Sequence, residues 1–174
     1  MCGILGHIQI STKNDPLSLA CFLSRMRHRG PDDSGQWRSS CGRVILGHNR
    51  LSIQDLTSAS HQPMISSCQR YAIVFNGEIY NFQQLRSQLI TEGVSFASTG
   101  DTEVIFMAYK VWGESFLARL NGMFAFAIYD QGTASQPPTL FFARDRAGEK
   151  PFYYSHTAES FRFPLSAAPS IDAR

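Results

Sequence analysis

A cysteine stands second in the chain, in the stretch MCGILG. If Met1 is removed, Cys2 carries a thiol and a free α-amine on one residue. A thiol titrates near ~8.5 and an α-amine near ~7.7–8.0, so the amine is a local base for its own side-chain nucleophile. Gly3 beside it allows close approach to a pocket. A second candidate is Asn76-Gly77 in VFNGEIYN. The Asn76 amide and a backbone N–H at Gly77 can point at a developing alkoxide. Each such donor is worth about 2.7–4 kcal/mol of transition-state stabilisation, and glycine lets a substrate approach the backbone. Arg50 in GHNRLSIQD offers a two-pronged clamp for a carboxylate. Asp101 in STGDTEVI offers an anion for an amine. Arg50 and Asp101 together suit a zwitterionic amino acid, although their spacing in sequence does not show that they meet.

Each residue also has a plain structural reading. Cys2 can be filler in a strand, and Arg50 a surface arginine. Asn-Gly is the preferred pair of a tight hairpin turn. The stretch after it, EIYNFQQL, soon becomes helical, which argues against a long return strand. Asp101 can be a helix N-cap worth about 1 kcal/mol.

These residues must be held by elements that the hydrophobic pattern outlines. CGILGHIQI reads as a strand, and a helix starting at Pro16 carries Leu19, Ala20, Leu23 and Met26 on one side. Strands follow at GQWRSS and GRVILGHNRLSI, with a turn at Cys41-Gly42, then a polar loop, TSASHQPM. RYAIVF is apolar throughout, as in a strand buried on both faces. Helices are expected over NFQQLRSQLITEG and DTEVIFMAYKVWG, with a short one at ESFLARLNG. MFAFAIYD and TLFFARD form a hairpin around QGTASQPP, and PFYYSH with SFRF forms another. Sheets with apolar content on both faces imply helices layered over sheets.

Composition narrows the classes. A chain of 174 residues builds one core, and a net charge of +2 does not suggest nucleic acid or a membrane surface as partner. No apolar run approaches the roughly 20 residues of a membrane span, and no signal peptide is legible, so a cytoplasmic setting is expected. None of the four cysteines sits in a C-x-x-C pair, and the histidines show no zinc spacing with them. Cys21, Cys41 and Cys68 read as buried free thiols.

Eight motifs, in order along residues 1 to 154, carry a resemblance. They are MCGILG, RMRHRGPDDSG, GHNRLSIQDL, QPM, FNGEIYN, TGDTEVI, LNGMFAFAIYD and ARDRAGEKPFYY. The chain resembles the glutaminase domain of class II glutamine amidotransferases, which are N-terminal-nucleophile hydrolases, and most of all that of the asparagine synthetase family. The resemblance implies an α+β fold, a four-layer α/β/β/α sandwich. It implies Cys2 as nucleophile, its freed amine as base, and Asn76 and Gly77 as the oxyanion hole. It implies that Arg50, with backbone near Leu51 and Ile53, holds the carboxylate of L-glutamine. Asp101 then holds its α-amino group, and Glu78 lines the pocket. RHRGPDDSG is expected to form a loop over the pocket, with Arg29 ordering it.

Two departures from the family pattern stand out. Pro164 falls where a strand should continue, so residues 1–163 are expected to form the domain and 164–174 an irregular tail. The family's glycine-serine-rich pyrophosphate loop does not occur, so the synthetase half is expected to be absent. No cofactor is expected in this chain; ATP and Mg belong to the synthetase domain or a partner subunit that accepts ammonia. Self-association is left open. The alternative function is a non-catalytic module that senses glutamine or binds a partner.

Overall fold

The computed structural model describes residues 2–11 and 19–164. The expected helix start at Pro16, Met1 and the tail at 165–174 lie outside them. Two antiparallel sheets form among the described residues. The first has the order β2 (Asp33–Arg38), β3 (Val44–Arg50), β1 (Gly3–Gln9), β9 (Ser160–Pro164), β8 (Ser155–His156). The second has the order β4 (Met64–Ile65), β5 (Tyr71–Ile79), β6 (Gly122–Asp130), β7 (Thr139–Arg144). The helices are α1 (Ala20–Arg25), α2 (Phe82–Thr91) and α3 (Asp101–Trp112).

Three apolar clusters show how these elements stack. Leu5 and Ile45 on the outer face of the first sheet meet Leu19, Leu23 and Met26 around α1. Ile4, Val44 and Leu46 on its inner face meet Ala72, Val74, Ala125 and Ala127 of the second sheet. The far side of the second sheet, with Ile73, Phe75, Phe124, Phe126 and Ile128, is covered by Leu85, Leu89, Val104, Ile105 and Ala108 of α2 and α3. The layers therefore run α/β/β/α. Side-chain alternation along β5 and β6 does the sorting. Small alanines let the two sheets approach, while bulky rings fill the wider gap to the helices.

Several local expectations change. Asn76-Gly77 makes no hairpin turn; both residues lie inside β5, opposite Ala125 and Phe124 of β6. ESFLARLNG is a short helix as expected, of 3-10 type, Gly113–Arg119. In PFYYSH only Ser155 and His156 pair as strand. The Phe152 ring instead stacks between Phe142 and Phe163, at 5.2 Å from each centroid, which takes that stretch out of the ladder. Pro164 is the last residue of β9, opposite Leu5, so the strand extends one residue past the expected boundary. Cys21, Cys41 and Cys68 are free but exposed, not buried. Cys41 and Cys68 sit beside Ser39 and Ser66 hydroxyls, each at 3.3 Å, where apolar packing is absent.

Candidate active site

The register of β1 against β3 places Gly3 opposite Asn49. Continued one step, that register sets Cys2 beside Arg50, and its sulfur reaches the next residue, Leu51, just after β3. The Leu51 N–H donates to the Cys2 Sγ at 3.4 Å, and the thiol reaches the Leu51 carbonyl at 3.7 Å. Arg29 Nε donates to the Cys2 carbonyl at 3.3 Å. These contacts fix the residue from both its backbone and its sulfur.

A cavity of about 120 Å³ opens beside this thiol. Cys2, Arg50, Leu51, Ile53, Asn76, Gly77, Glu78 and Asp101 all line it. These residues arrive from three directions: the start of β1, the end of β3 with the loop after it, and the second half of β5 with the start of α3. Asn76 continues the inward-facing row of Ala72 and Val74, and its Nδ2 is buried with no hydrogen-bond partner among the described residues. A buried amide donor left unmade costs free energy unless a ligand completes it.

The glycines act differently from expectation. A Cβ on Gly77 would collide with the Met123 carbonyl and the Phe124 backbone of β6. Close strand packing, rather than substrate approach, demands glycine there. A Cβ on Gly3 would lie 3.3 Å from the Met26 side chain, on the α1 side of the sheet and away from the cavity.

Arg50 is 6% exposed. Its guanidinium donates to the carbonyls of Thr57 (3.1 Å), Gln54 (3.4 Å) and Asp55. Three of its five N–H donors are thus used in shaping the loop, and two remain for an anion. Leu51 and Ile53 are on that loop. The Ile53 side chain is 74% exposed, so its contribution to the cavity is at the rim. Glu78 accepts from Gln54 Nε2 at 3.4 Å.

Asp101 is not the N-cap. Gly100 holds that position without a side-chain bond, and Asp101 is the first helical residue. Its carboxylate turns back to accept from the Ile79 N–H at 3.0 Å. Burial pushes Asp101 up to about 6, against the pull of that N–H, and the nearby charge of Glu78 pushes the same way. Burial also pushes the Cys2 thiol up, opposed by the Leu51 N–H and by the positive charge of Arg50. The thiol is therefore neutral at neutral pH.

The expected loop over the pocket is instead a 3-10 turn, Arg27–Arg29, running into β2, and this segment contributes none of the cavity's lining residues. It braces the site from behind, through Arg29 on Cys2 and through Asp32, whose carboxylate accepts from the Ser52 N–H at 2.8 Å. Sequence reasoning missed three other supports. Gln62, within the QPM motif, accepts from the Phe75 N–H at 2.7 Å and donates to Thr102 Oγ1 at 3.3 Å. His48, fully buried, donates from Nε2 to the Phe75 carbonyl at 3.0 Å. Burial depresses it to about 4, so the ring is neutral and this bond sets its tautomer. Lys150 also lines the cavity. Polar residues before or within apolar strands, as at His48, were the available signal.

No group of three or more His, Cys, Asp or Glu among the described residues is placed to hold a metal. No helix among them is long and apolar enough to cross a membrane.

Comparison with known proteins agrees with this geometry. The family model for the glutamine amidotransferase domain matches residues 1–170. Asparagine synthetase [glutamine-hydrolyzing] 3 of Bacillus subtilis is 37% identical over 183 residues, covering 100% of this chain and 29% of that protein. Asparagine synthetase B [glutamine-hydrolyzing] of Escherichia coli is 41% identical over 160 residues, covering 90% of this chain and 27% of that protein. The chain thus spans well under a third of the length of these relatives. In fold it resembles glutamine phosphoribosylpyrophosphate amidotransferase from B. subtilis, solved with ADP and GMP. That match has a TM-score of 0.78 and 20% identity, and covers 94% of this chain and 42% of the other. The chain belongs to the glutamine amidotransferase domain family.

Proposed function

We propose that the chain hydrolyses L-glutamine to glutamate and ammonia. The Cys2 sulfur attacks the side-chain amide carbon as its proton passes to the α-amine freed by loss of Met1. The oxyanion that forms accepts from Asn76 Nδ2 and the Gly77 N–H. The C–N bond breaks, ammonia leaves with the proton, and a glutamyl thioester remains. Water then cleaves the thioester and restores the thiol. Arg50 holds the α-carboxylate and Asp101 the α-ammonium group. The hydrolysis itself needs only sulfur, an amine and water. A synthetase region or subunit takes the ammonia to a carboxylate acceptor, as in asparagine biosynthesis, and the unpaired cysteines suit a reducing, cytoplasmic setting.

The observation that carries this reading is the buried, unpartnered Asn76 Nδ2 in the same cavity as the Cys2 thiol. A nucleophile and an unused oxyanion donor flank one small space that a cation, Arg50, and an anion, Asp101, also line. The raised thiol supports a mechanism in which a base acts at the moment of attack. The test is glutamate release from L-glutamine by the chain lacking Met1 and by Cys2→Ala. Release is expected only from the former, and equal rates would overturn the proposal.

A further inference from the structure

The cation and the anion of the cavity sit on separate irregular segments. Arg50 opens the loop over residues 51–57, and residues 99–100 lead into Asp101. Neither segment is held in a sheet ladder. One side chain joins them. Asp55 accepts from the Thr57 N–H (3.0 Å) and hydroxyl (2.5 Å) at Oδ1. At Oδ2 it accepts from the Thr99 N–H at 2.7 Å. Its backbone carbonyl accepts from the Arg50 guanidinium. The two segments touch here as well: a Cβ on Gly100 would lie 3.7 Å from the Asp55 Cβ.

The backbone at Asp55 is left-handed, with φ 42°. Asp, Asn and Gly adopt that conformation more readily than other residues. The Thr57 and Thr99 hydrogen bonds hold its carboxyl well below the usual range, so the brace is a carboxylate at working pH.

Resting on the glutaminase reading above, we propose that Asp55 is a positioning residue that sets the spacing between Arg50 and Asp101, and thereby the affinity for an α-amino acid. It acts through Arg50 and Thr99 and touches no substrate. The oxyanion donors lie in β5, and the sulfur is held by Leu51, directly after β3, so the reacting atoms make no contact with Asp55.

The test uses the chain from Cys2 to Arg174, with Asp55→Asn and Asp55→Gly. Asparagine keeps the shape and the backbone preference. It turns an NH2 group toward either Thr57 or Thr99, where an N–H already points. Glycine keeps the backbone and removes the acceptors. In both, KM for L-glutamine is expected to rise roughly tenfold or more, the effect of losing a hydrogen bond to a charged group. At the same time kcat should stay within about threefold, because uniform binding is what is lost. Alkylation of Cys2 by iodoacetamide, which needs no amino-acid site, should be unchanged. Unchanged KM in both variants overturns the proposal. So does a joint fall in kcat, iodoacetamide reactivity and thermal midpoint, which would mark a general structural role.

Calorimetric titration of L-glutamine into Cys2→Ala, with and without Asp55→Asn, separates this proposal from the function it rests on. Binding weakened by Asp55→Asn supports the brace even if the parent chain releases no glutamate, a result that would overturn only the glutaminase reading. Equal binding overturns the brace, and no binding at all overturns both.

Discussion

The two halves of the site are held by different means. Asn76 and Gly77 lie within β5, which is paired to β4 on one side and β6 on the other, and Cys2 adjoins β1, paired to β3 and β9. Arg50 ends a strand and leads into a loop, and Asp101 begins a helix after another loop. Ladder hydrogen bonds fix Asn76 and Gly77, and Leu51 and Arg29 fix Cys2 at the end of its strand; side-chain hydrogen bonds of Arg50 and Asp55 fix the second half. Covalent chemistry depends on atoms placed within about half an ångström, which paired strands supply. An amino acid has to enter and leave, which loops permit more readily. The comparison makes a kinetic claim: damage to the strand half lowers kcat, and damage to the loop half raises KM.

The largest effect is expected at Asn76. Asn76→Ala removes the unpartnered donor, and kcat for glutamine hydrolysis should fall about 10²–10³-fold with KM little changed. A raised KM with kcat intact would move Asn76 into the binding half and break the comparison.

A smaller effect is expected at Arg50. Arg50→Lys keeps the charge but loses the fork that spans Thr57, Gln54 and Asp55. KM should rise roughly tenfold to a hundredfold, as for lost charge-assisted hydrogen bonds. Saturating rates measured in the same assay should hold; a matching loss of kcat would show that the loop half also positions the reacting atoms.

The smallest effect is on stability, and it sharpens the comparison by showing what the binding anion costs. Burial raises Asp101 from 3.8 to about 6, so between these pH values the folded chain holds a proton that the unfolded chain has released. Stability from this group therefore falls as pH rises through the window. Asp101→Asn, which never ionises, should gain about 1–3 kcal/mol at pH 7 and nothing near pH 4. Denaturant midpoints at the two pH values read this directly, and an equal gain at both would assign the effect to something other than charge. His48 contributes with the opposite sign. Depressed to about 4, it adds stability above 6.5 that is lost as pH falls toward 4, in the parent and the variant alike.

Much of the molecule was legible from residue order. The unbroken apolar run in RYAIVF and the strand-like MFAFAIYD marked two buried strands, and both lie at the centre of the second sheet. Cys2, Arg50, Asn76, Gly77 and Asp101 were singled out by type and Glu78 by the family resemblance, and all line one cavity. What residue order left open concerned neighbours distant in sequence. Asn-Gly favours a turn locally, yet β6 recruits it into a ladder. Gly3 was expected to face the pocket and faces Met26. The helix cap weighed as the plain reading of Asp101 falls to Gly100, and the Asp101 carboxylate accepts from Ile79, which lies 22 residues away. Asp55 carried no signal, because its partner Thr99 is 44 residues away.

By itself the sequence determined the inventory: a thiol with a potential free amine beside it, an amide next to a glycine, a cation, an anion, and the periodicities that sort small from large side chains across two sheets. Tertiary structure alone decided which atoms meet. Antiparallel register put Leu51 against the Cys2 sulfur, and layer packing buried Asn76 without a partner. Burial raised the thiol and Asp101 above their ordinary values. Those are consequences of desolvation and long-range contact, which only the folded chain creates.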